Sequence, residues 1–391
     1  MEENIKNLVN LFEVYHECKP SMVVSCGGRF EVLGNHTDHN HGLCIASACN
    51  LEIVAAIRAN KSDLVNLKSL GFPADEIDLS SLEMVEEEKG TSSALIRGVA
   101  KYLHDHGYKV GGFLANTTST IFKGAGISSS AAFEVLVGYI FNVLYNDGKI
   151  DKLTLCKAGQ YAENVYYGKQ CGMLDQIGVG YGDIVKIDFE DVNNPKIERF
   201  EFPFKDLRFL LVYTGGDHSD LSDLYSSIPQ DMYSAANQMK VHFLRDASEE
   251  KLEEVKHLLN ESEYLRAKHF YGENKRVLAA LEAIRDNDEE KFLKQINESR
   301  VSSNKNLKNM MVNGKYEGSP LEACDLILEA SENTGAVKIN GGGFAGSVIA
   351  MIPDKKTNNV IKAMKKKYGD DNVKEIFIRK DGPITLYKLE K

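Results

Sequence analysis

Residues 123–144 read KGAGISSSAAFEVLVGYIFNVL. Glycines give way to three serines, Ser128, Ser129 and Ser130, and then to a run that is apolar nearly all round. Such a run predicts a helix buried on every side. The first amides of a helix lack intrahelical partners and carry partial positive charge. Gly124 and Gly126 let an anion approach the backbone, and the serine hydroxyls offer hydrogen bonds and an oxygen for a divalent cation. The stretch therefore predicts a phosphate-binding loop that opens a core helix. It is not the G-x-x-x-x-G-K-[ST] loop, because no Lys follows the glycines, and it is not a dinucleotide fingerprint. The plainer alternative is a loop that Ser128 caps into the helix.

Around this stretch, strand-like and helix-like segments alternate. Residues 23–26, 51–57, 184–189, 208–213, 347–352, 375–379 and 384–389 are β-branched or aromatic-rich runs near turn signals. The last two flank KDGP, which predicts a reversing turn. Helices are predicted over 92–107, 151–168 and 357–368, each followed or closed by glycine, and through the charged region 229–300. The mixture is α+β. A change of texture near 195–205 predicts two domains, 1–200 and 201–391, as 391 residues is long for one core.

Hydrophobic residues make up 43% of the chain, enough for real cores. A net charge of -10 disfavours a dedicated partner for nucleic acid or an anionic membrane. Seven scattered cysteines with no C-x-x-C pattern predict reduced thiols and a cytoplasmic location. The N-terminal residues do not read as a secretory signal, and no stretch reaches eighteen apolar residues, so no membrane span is expected.

Three further stretches are rich in glycine. Residues 26–42, CGGRFEVLGNHTDHNHG, crowd His36, His39 and His41 with Arg29, Asn35 and Asp38. These histidines lack the i,i+4 helical spacing and the partners of a tetrahedral metal site, whereas Asp, Asn and His suit the many hydroxyls of a polyol. Residues 335–351, GAVKINGGGFAGSVIAM, read either as a tight turn between strands or as a backbone loop that closes on a ligand. In CGMLDQIGVGYGD, 171–183, Asp175 stands in an apolar setting and needs a partner or a chemical task.

Taken in order, these stretches resemble the GHMP kinase superfamily, and within it the galactokinases. GRFEVLGNHTDHNHG is similar to the galactokinase signature, KGAGISSSAA to the phosphate loop, CGMLDQ to the segment with the catalytic Asp, and INGGGFAGS to the third motif. The resemblance implies a two-domain GHMP kinase fold with its active site in the interdomain cleft. It implies Arg29 and Asp175 as catalytic residues. Asn35, His36, Asp38, Gly172, Asp175 and Tyr225 become sugar contacts, the last from DHSDLSDLY at 217–225. Gly124, Ala125, Gly126, Ile127, Ser128, Ser129 and Ser130 become the ATP phosphate loop, with Ser130 and Glu163 as Mg²⁺ ligands. The expected partners are a small sugar and ATP, with no nucleic acid or membrane, in a monomer or weak dimer.

The chemistry agrees with the residue types. A carboxylate can orient a sugar hydroxyl or accept its proton. Arg29 beside Asp175 would keep it ionised and offset charge on a transferring phosphoryl group. The chain departs from the family pattern at Asn35, where Glu is usual, at His39, where Tyr is usual, and at Asn340 and Ala345 in the third motif. After Tyr225, SSIPQDM replaces expected arginines. The leading expectation is a kinase making galactose 1-phosphate. Asn35 also leaves open a sugar-1-kinase acting on galacturonate, an amino sugar or a pentose, and a non-catalytic sugar- and ATP-binding sensor is the other alternative.

Overall fold

The computed structural model describes residues 2–122, 124–215 and 221–389. Two sheets organise it. The first holds β1 (Met22–Leu33), β2 (Leu43–Ala59), β3 (Leu64–Ser69), β4 (Ala74–Asp78), β5 (Phe113–Ser119), β6 (Ile184–Asp188), β7 (Lys196–Phe200) and the late strand β12 (Ile384–Lys388). The second holds β8 (Leu207–Tyr213), β9 (Ala336–Asn340), β10 (Ser347–Pro353) and β11 (Val373–Ile376), in the order β11-β8-β10-β9.

The long β1–β2 pair is the spine of the first sheet, with Met22 opposite Ile57 and Leu33 opposite Ile45. β2 pairs with β6 along its first part and with β5 along its last. Residues 26–33 thus run as strand, with register shifts against β2 between Gly27 and Arg29 and between Glu31 and Leu33, and the glycine-rich stretch becomes loop only from Gly34 onward. Gly27 is required there by space. A Cβ on it would stand 2.3 Å from the Cys49 carbonyl oxygen of the neighbouring strand.

The helix Ser129–Tyr145 is buried nearly all round, as its composition predicts, and packs with Ser92–Asp105 and Lys152–Tyr161 over the first sheet. The expected helix 151–168 starts on an Asp151 cap but widens into a π-type turn over Ala162–Tyr167, ending at Gly168 with φ +88°. The charged region resolves into helices Ser222–Gln238, Glu249–Val255, Glu261–Asp286 and Glu289–Ser302.

The expected reversal at KDGP is corrected. β11 pairs with β8 in the second sheet, whereas β12 pairs with β1 in the first. Residues 377–383 therefore carry the chain from one sheet to the other, fastened where the Arg379 amide donates to the Ala48 carbonyl at 2.9 Å. The expected boundary near 195–205 lies at the passage from β7 to β8, yet the late strand β12 completes the first sheet.

Candidate active site

The glycine–serine loop is set against β1 by close backbone contact. The Arg29 amide donates to the Ile127 carbonyl at 2.9 Å. A Cβ on Gly28 would sit 2.6 Å from that same oxygen, so only glycine lets the loop lie so near. Ser128, the residue that precedes the helix, takes a left-handed conformation with φ +57°. It makes no side-chain cap on the helix, contrary to the plain reading of this position. Its hydroxyl donates instead to Asp175 Oδ2 at 2.5 Å. The strained turn aims the hydroxyl at the carboxylate and leaves the first helix amides to an anion.

Arg29, on β1, reaches across to Asp175 at the start of the helix Leu174–Tyr181. Its Nε and Nη2 donate to Asp175 Oδ1 at 2.8 and 2.7 Å, and Nη1 donates to the Gly126 carbonyl at 2.8 Å. Burial alone would raise the Asp175 carboxyl, but the Arg29 guanidinium and the Ser128 hydroxyl overcome it and hold the pKa below the ordinary value. Asp175 is therefore ionised at neutral pH.

These residues line a cavity of about 480 Å³ with the whole run Gly124–Ser130, Tyr225 and Lys169. Its far wall is the β9–β10 hairpin loop, Gly341–Gly346, so that stretch is a turn between strands that also walls the cavity. Asn340 ties the two walls together, since its Nδ2 donates to the Gly126 carbonyl at 3.0 Å and its Oδ1 accepts the Glu31 amide at 2.9 Å. The Tyr225 ring packs on Gly342, where a Cβ would come within 2.6 Å, and its hydroxyl donates to the Gly343 carbonyl at 2.7 Å. Residues 217–220 of the expected DHSDLSDLY motif lie outside the described residues.

Asp38 and Gly172 adjoin one another close enough to feel the Asp175 charge, though neither is among the residues that line the cavity. A Cβ on Gly172 would stand 2.5 Å from Asp38 Oδ2. Burial, together with the charges of Asp175 and Glu31, pushes the Asp38 carboxyl up to about 6. His36 bonds through Nε2 to the Gly342 carbonyl at 2.9 Å, so that nitrogen carries the proton and Nδ1 is left as an acceptor. Burial lowers its pKa, which keeps the ring neutral.

Asn35, expected as a sugar contact, is held in a hydrogen-bond network. It is 1% exposed, and its amide is engaged at both ends. Nδ2 donates to both Glu31 carboxylate oxygens and to the Gly341 carbonyl, while Oδ1 accepts from Asn309. Glu31 in turn accepts from Lys338 at 2.7 Å, a pair buried between the two sheets. The turn at Gly34–Asn35 is also held from the helix Glu261–Asp286. Glu273 accepts the Gly34 amide at 3.1 Å, and His269 Nε2 donates to the Asn35 carbonyl at 3.0 Å.

The expected metal ligands also meet. Ser130 Oγ donates to Glu163 Oε1 at 3.2 Å, and Glu163 sits on the π-type turn with 3% exposure. Gln176 Nε2 donates to Glu163 Oε2 at 3.1 Å and to Glu134 Oε2 at 3.0 Å. Burial and the charge of Glu163 raise the Glu134 carboxyl well above its usual range, so it keeps its proton. A hydroxyl and a carboxylate are the hard oxygen donors that Mg²⁺ takes, with waters for the remaining positions.

Sequence reasoning missed Glu31, Lys338, Glu273, His269 and Lys169. A lone charge inside an apolar strand, as in FEVL and AVKIN, is the signal that could have found the first two, because such a charge must be paired when buried. For Glu273, His269 and Lys169 the sequence carries no comparable mark.

Residues 94–183 match the family model described as GHMP kinases N terminal domain, and residues 10–59 match the galactokinase galactose-binding signature. The galactokinase of Clostridium tetani (strain Massachusetts / E88) is 29% identical over 351 residues, covering 87% of this chain and 86% of the relative. That of Clostridium beijerinckii is 28% identical over 375 residues, covering 94% of each. The fold matches the crystal structure of Lactococcus lactis galactokinase complexed with galactose, with a TM-score of 0.83 over 99% of this chain and all of that one, at 23% identity. It also matches the mevalonate kinase of Methanococcus jannaschii, with a TM-score of 0.65 at 18% identity over 92% of this chain and 98% of that one.

Proposed function

We propose that this chain, which carries the N-terminal GHMP kinase domain and the galactokinase galactose-binding signature, transfers the γ-phosphoryl group of ATP to the anomeric hydroxyl of galactose. The product is galactose 1-phosphate. The observation that carries this reading is the meeting of Asp175, Arg29 and Ser128 at the mouth of the glycine–serine loop, inside one cavity.

The loop amides and the N-terminus of the helix Ser129–Tyr145 bind the phosphates of ATP. Asp175 accepts a hydrogen bond from the sugar hydroxyl and orients it for in-line attack. Arg29 makes it a weak base, which suits a loose transition state in which the proton departs late. Arg29 also balances charge gathering on the phosphoryl oxygens. Asp38, bounded by Gly172, and the acceptor nitrogen of His36 hold ring hydroxyls. Ser130 and Glu163 would hold Mg²⁺, which would supply positive charge to neutralise the nucleotide phosphates.

Galacturonate, an amino sugar or a pentose was left open by Asn35; the enclosure of Asn35 by Glu31, Gly341 and Asn309 and the galactokinase relatives favour galactose over these. A non-catalytic sensor is disfavoured by the complete set Arg29, Asp175 and Ser128–Ser130 in one cavity. All seven cysteines are free thiols, which supports a cytoplasmic setting. Among the described residues no helix is long and apolar enough to cross a membrane.

The test is an ADP-release assay with Mg-ATP and galactose, galacturonate, N-acetylgalactosamine, glucose or arabinose. Turnover on galactose above the others supports the reading. Preference for another sugar overturns the substrate, and sugar binding without turnover on any overturns catalysis.

A further inference from the structure

Lys169 is a cation placed on the metal-ligand carboxylate. Its Nζ lies 3.0 Å from Glu163 Oε1, the same oxygen that accepts from Ser130. The other oxygen, Oε2, is taken by Gln176 and by the Cys171 thiol at 3.1 Å each. Lys169 is thus the solvent-side partner of a carboxylate that is otherwise enclosed, with side-chain exposures of 64% and 3% for the two residues. The backbone prepares this placement. Gly168 is left-handed, and the amides of Gly168 and Lys169 both donate to the Glu163 carbonyl, at 3.1 and 3.0 Å. The chain therefore folds back over the end of the π-type turn and returns the lysine above Glu163.

Lys169 also lines the cavity with Asp175 and Gly124–Ser130, where the phosphates are proposed to bind. A divalent cation and an ammonium group cannot both lie against one carboxylate oxygen without strong repulsion. When the metal arrives, the long and exposed lysine stem must move, and the nearest strong acceptors are phosphate oxygens in the same cavity.

We propose that Lys169 is a resident cation that holds the Ser130–Glu163 pair in the free protein and passes to the terminal phosphates of the nucleotide when a divalent metal takes its place on Glu163. This rests on the phosphoryl-transfer reading of the cavity. Lys169 is a positioning group in the free protein and a phosphate contact in the complex. The exchange makes metal and lysine compete in the absence of nucleotide and cooperate in its presence.

The test compares wild type, Lys169→Met and Lys169→Arg by two binding measurements that use no turnover. The first is Mn²⁺ binding without nucleotide, read from the free-ion electron paramagnetic resonance signal. Lys169→Met should bind Mn²⁺ roughly tenfold more tightly than wild type, since the competitor is gone. The second is ATP binding in saturating Mg²⁺ without sugar, by calorimetry, where Lys169→Met should bind roughly tenfold more weakly and Lys169→Arg near wild type. A Glu163→Gln chain should lose the difference in Mn²⁺ affinity between Lys169 and Met. Equal Mn²⁺ affinity in wild type and Lys169→Met, or unchanged ATP affinity in saturating Mg²⁺, overturns the proposal. Melting curves of each variant establish that the folded protein is compared. A wild type that phosphorylates galactose without this exchange refutes the lysine role alone; one that shows the exchange but no sugar turnover refutes the function alone.

Discussion

Replacing Asp38 by Asn separates what this carboxylate costs the fold from what it gives a bound sugar. Burial with the Asp175 and Glu31 charges lifts its pKa from 3.8 to about 6. A carboxyl raised on folding binds its proton more tightly in the folded chain. Stability is therefore full below the unfolded value, falls as pH rises through 3.8 towards 6, and stays at the reduced level above that. At 1.36 kcal/mol per unit, the ionised carboxylate costs roughly 3 kcal/mol at about pH 7.5 and roughly 1 kcal/mol at about pH 4.5. Asn removes this cost. With an unfolding entropy of about 2.1 cal/mol/K per residue, the 391-residue chain changes by roughly 0.8 kcal/mol per degree. The expected gain in Tm is about 4 °C at pH 7.5 and about 1 °C at pH 4.5, measured by scanning calorimetry without ligands. The same change should abolish tight sugar binding. In wild type, the KM for galactose should rise about tenfold per pH unit below about pH 6, and in Asp38→Asn it should be high and flat with pH. An equal Tm change at both pH values, or a loss at pH 7.5, would refute the reasoning that Asp38 is a destabilised carboxylate kept for ligand binding.

Three further substitutions probe the neighbouring groups. Asp175→Asn should cut kcat by about 10²–10⁴ with ATP affinity kept, and also lower Tm by leaving the buried Arg29 without its carboxylate; near-normal kcat would remove Asp175 from the mechanism. Gly172→Ala puts a methyl 2.5 Å from Asp38 Oδ2 and pushes that carboxylate aside, so the KM for galactose should rise while Tm and ATP affinity hold, and an unchanged KM would place the sugar elsewhere. Glu134→Gln replaces a carboxyl whose pKa is raised by burial and by Glu163, a group that binds a proton only in the folded chain above the ordinary carboxylate range. Its removal should therefore stabilise the protein increasingly as pH rises from about 5 to 8.5, and melting curves that differ by a constant amount would contradict this.

The parts of the site legible in the sequence are those whose physics is local. Glycines 124 and 126 followed by Ser128–Ser130 and an apolar run predict an anion loop from local physics alone, and these residues line the cavity. Asp175 in an apolar setting demanded a partner and has one in Arg29, which lies 146 residues away in the chain. What the sequence hid depends on packing at a distance. Asn35 reads as a polar group for a polyol in a glycine-rich turn, and nothing local to it foretells that Glu31, Gly341 and Asn309 enclose it. Strand content was legible from 373 onward, but pairing was not, since nothing in KDGP states that its two flanking strands belong to different sheets.

The pairing of β1 with β12 has a consequence for how the polypeptide is made. The two strands are separated by roughly 350 residues of chain. At about 5–20 residues per second, a ribosome needs roughly 20–70 s to synthesise that interval. Throughout it, one edge of β1, with its valine pair Val23 and Val24, waits for a neighbour that does not yet exist. An open, apolar strand edge is a template for pairing with other nascent chains. The strand that carries Arg29 is thus the place where a chaperone has most to protect during synthesis.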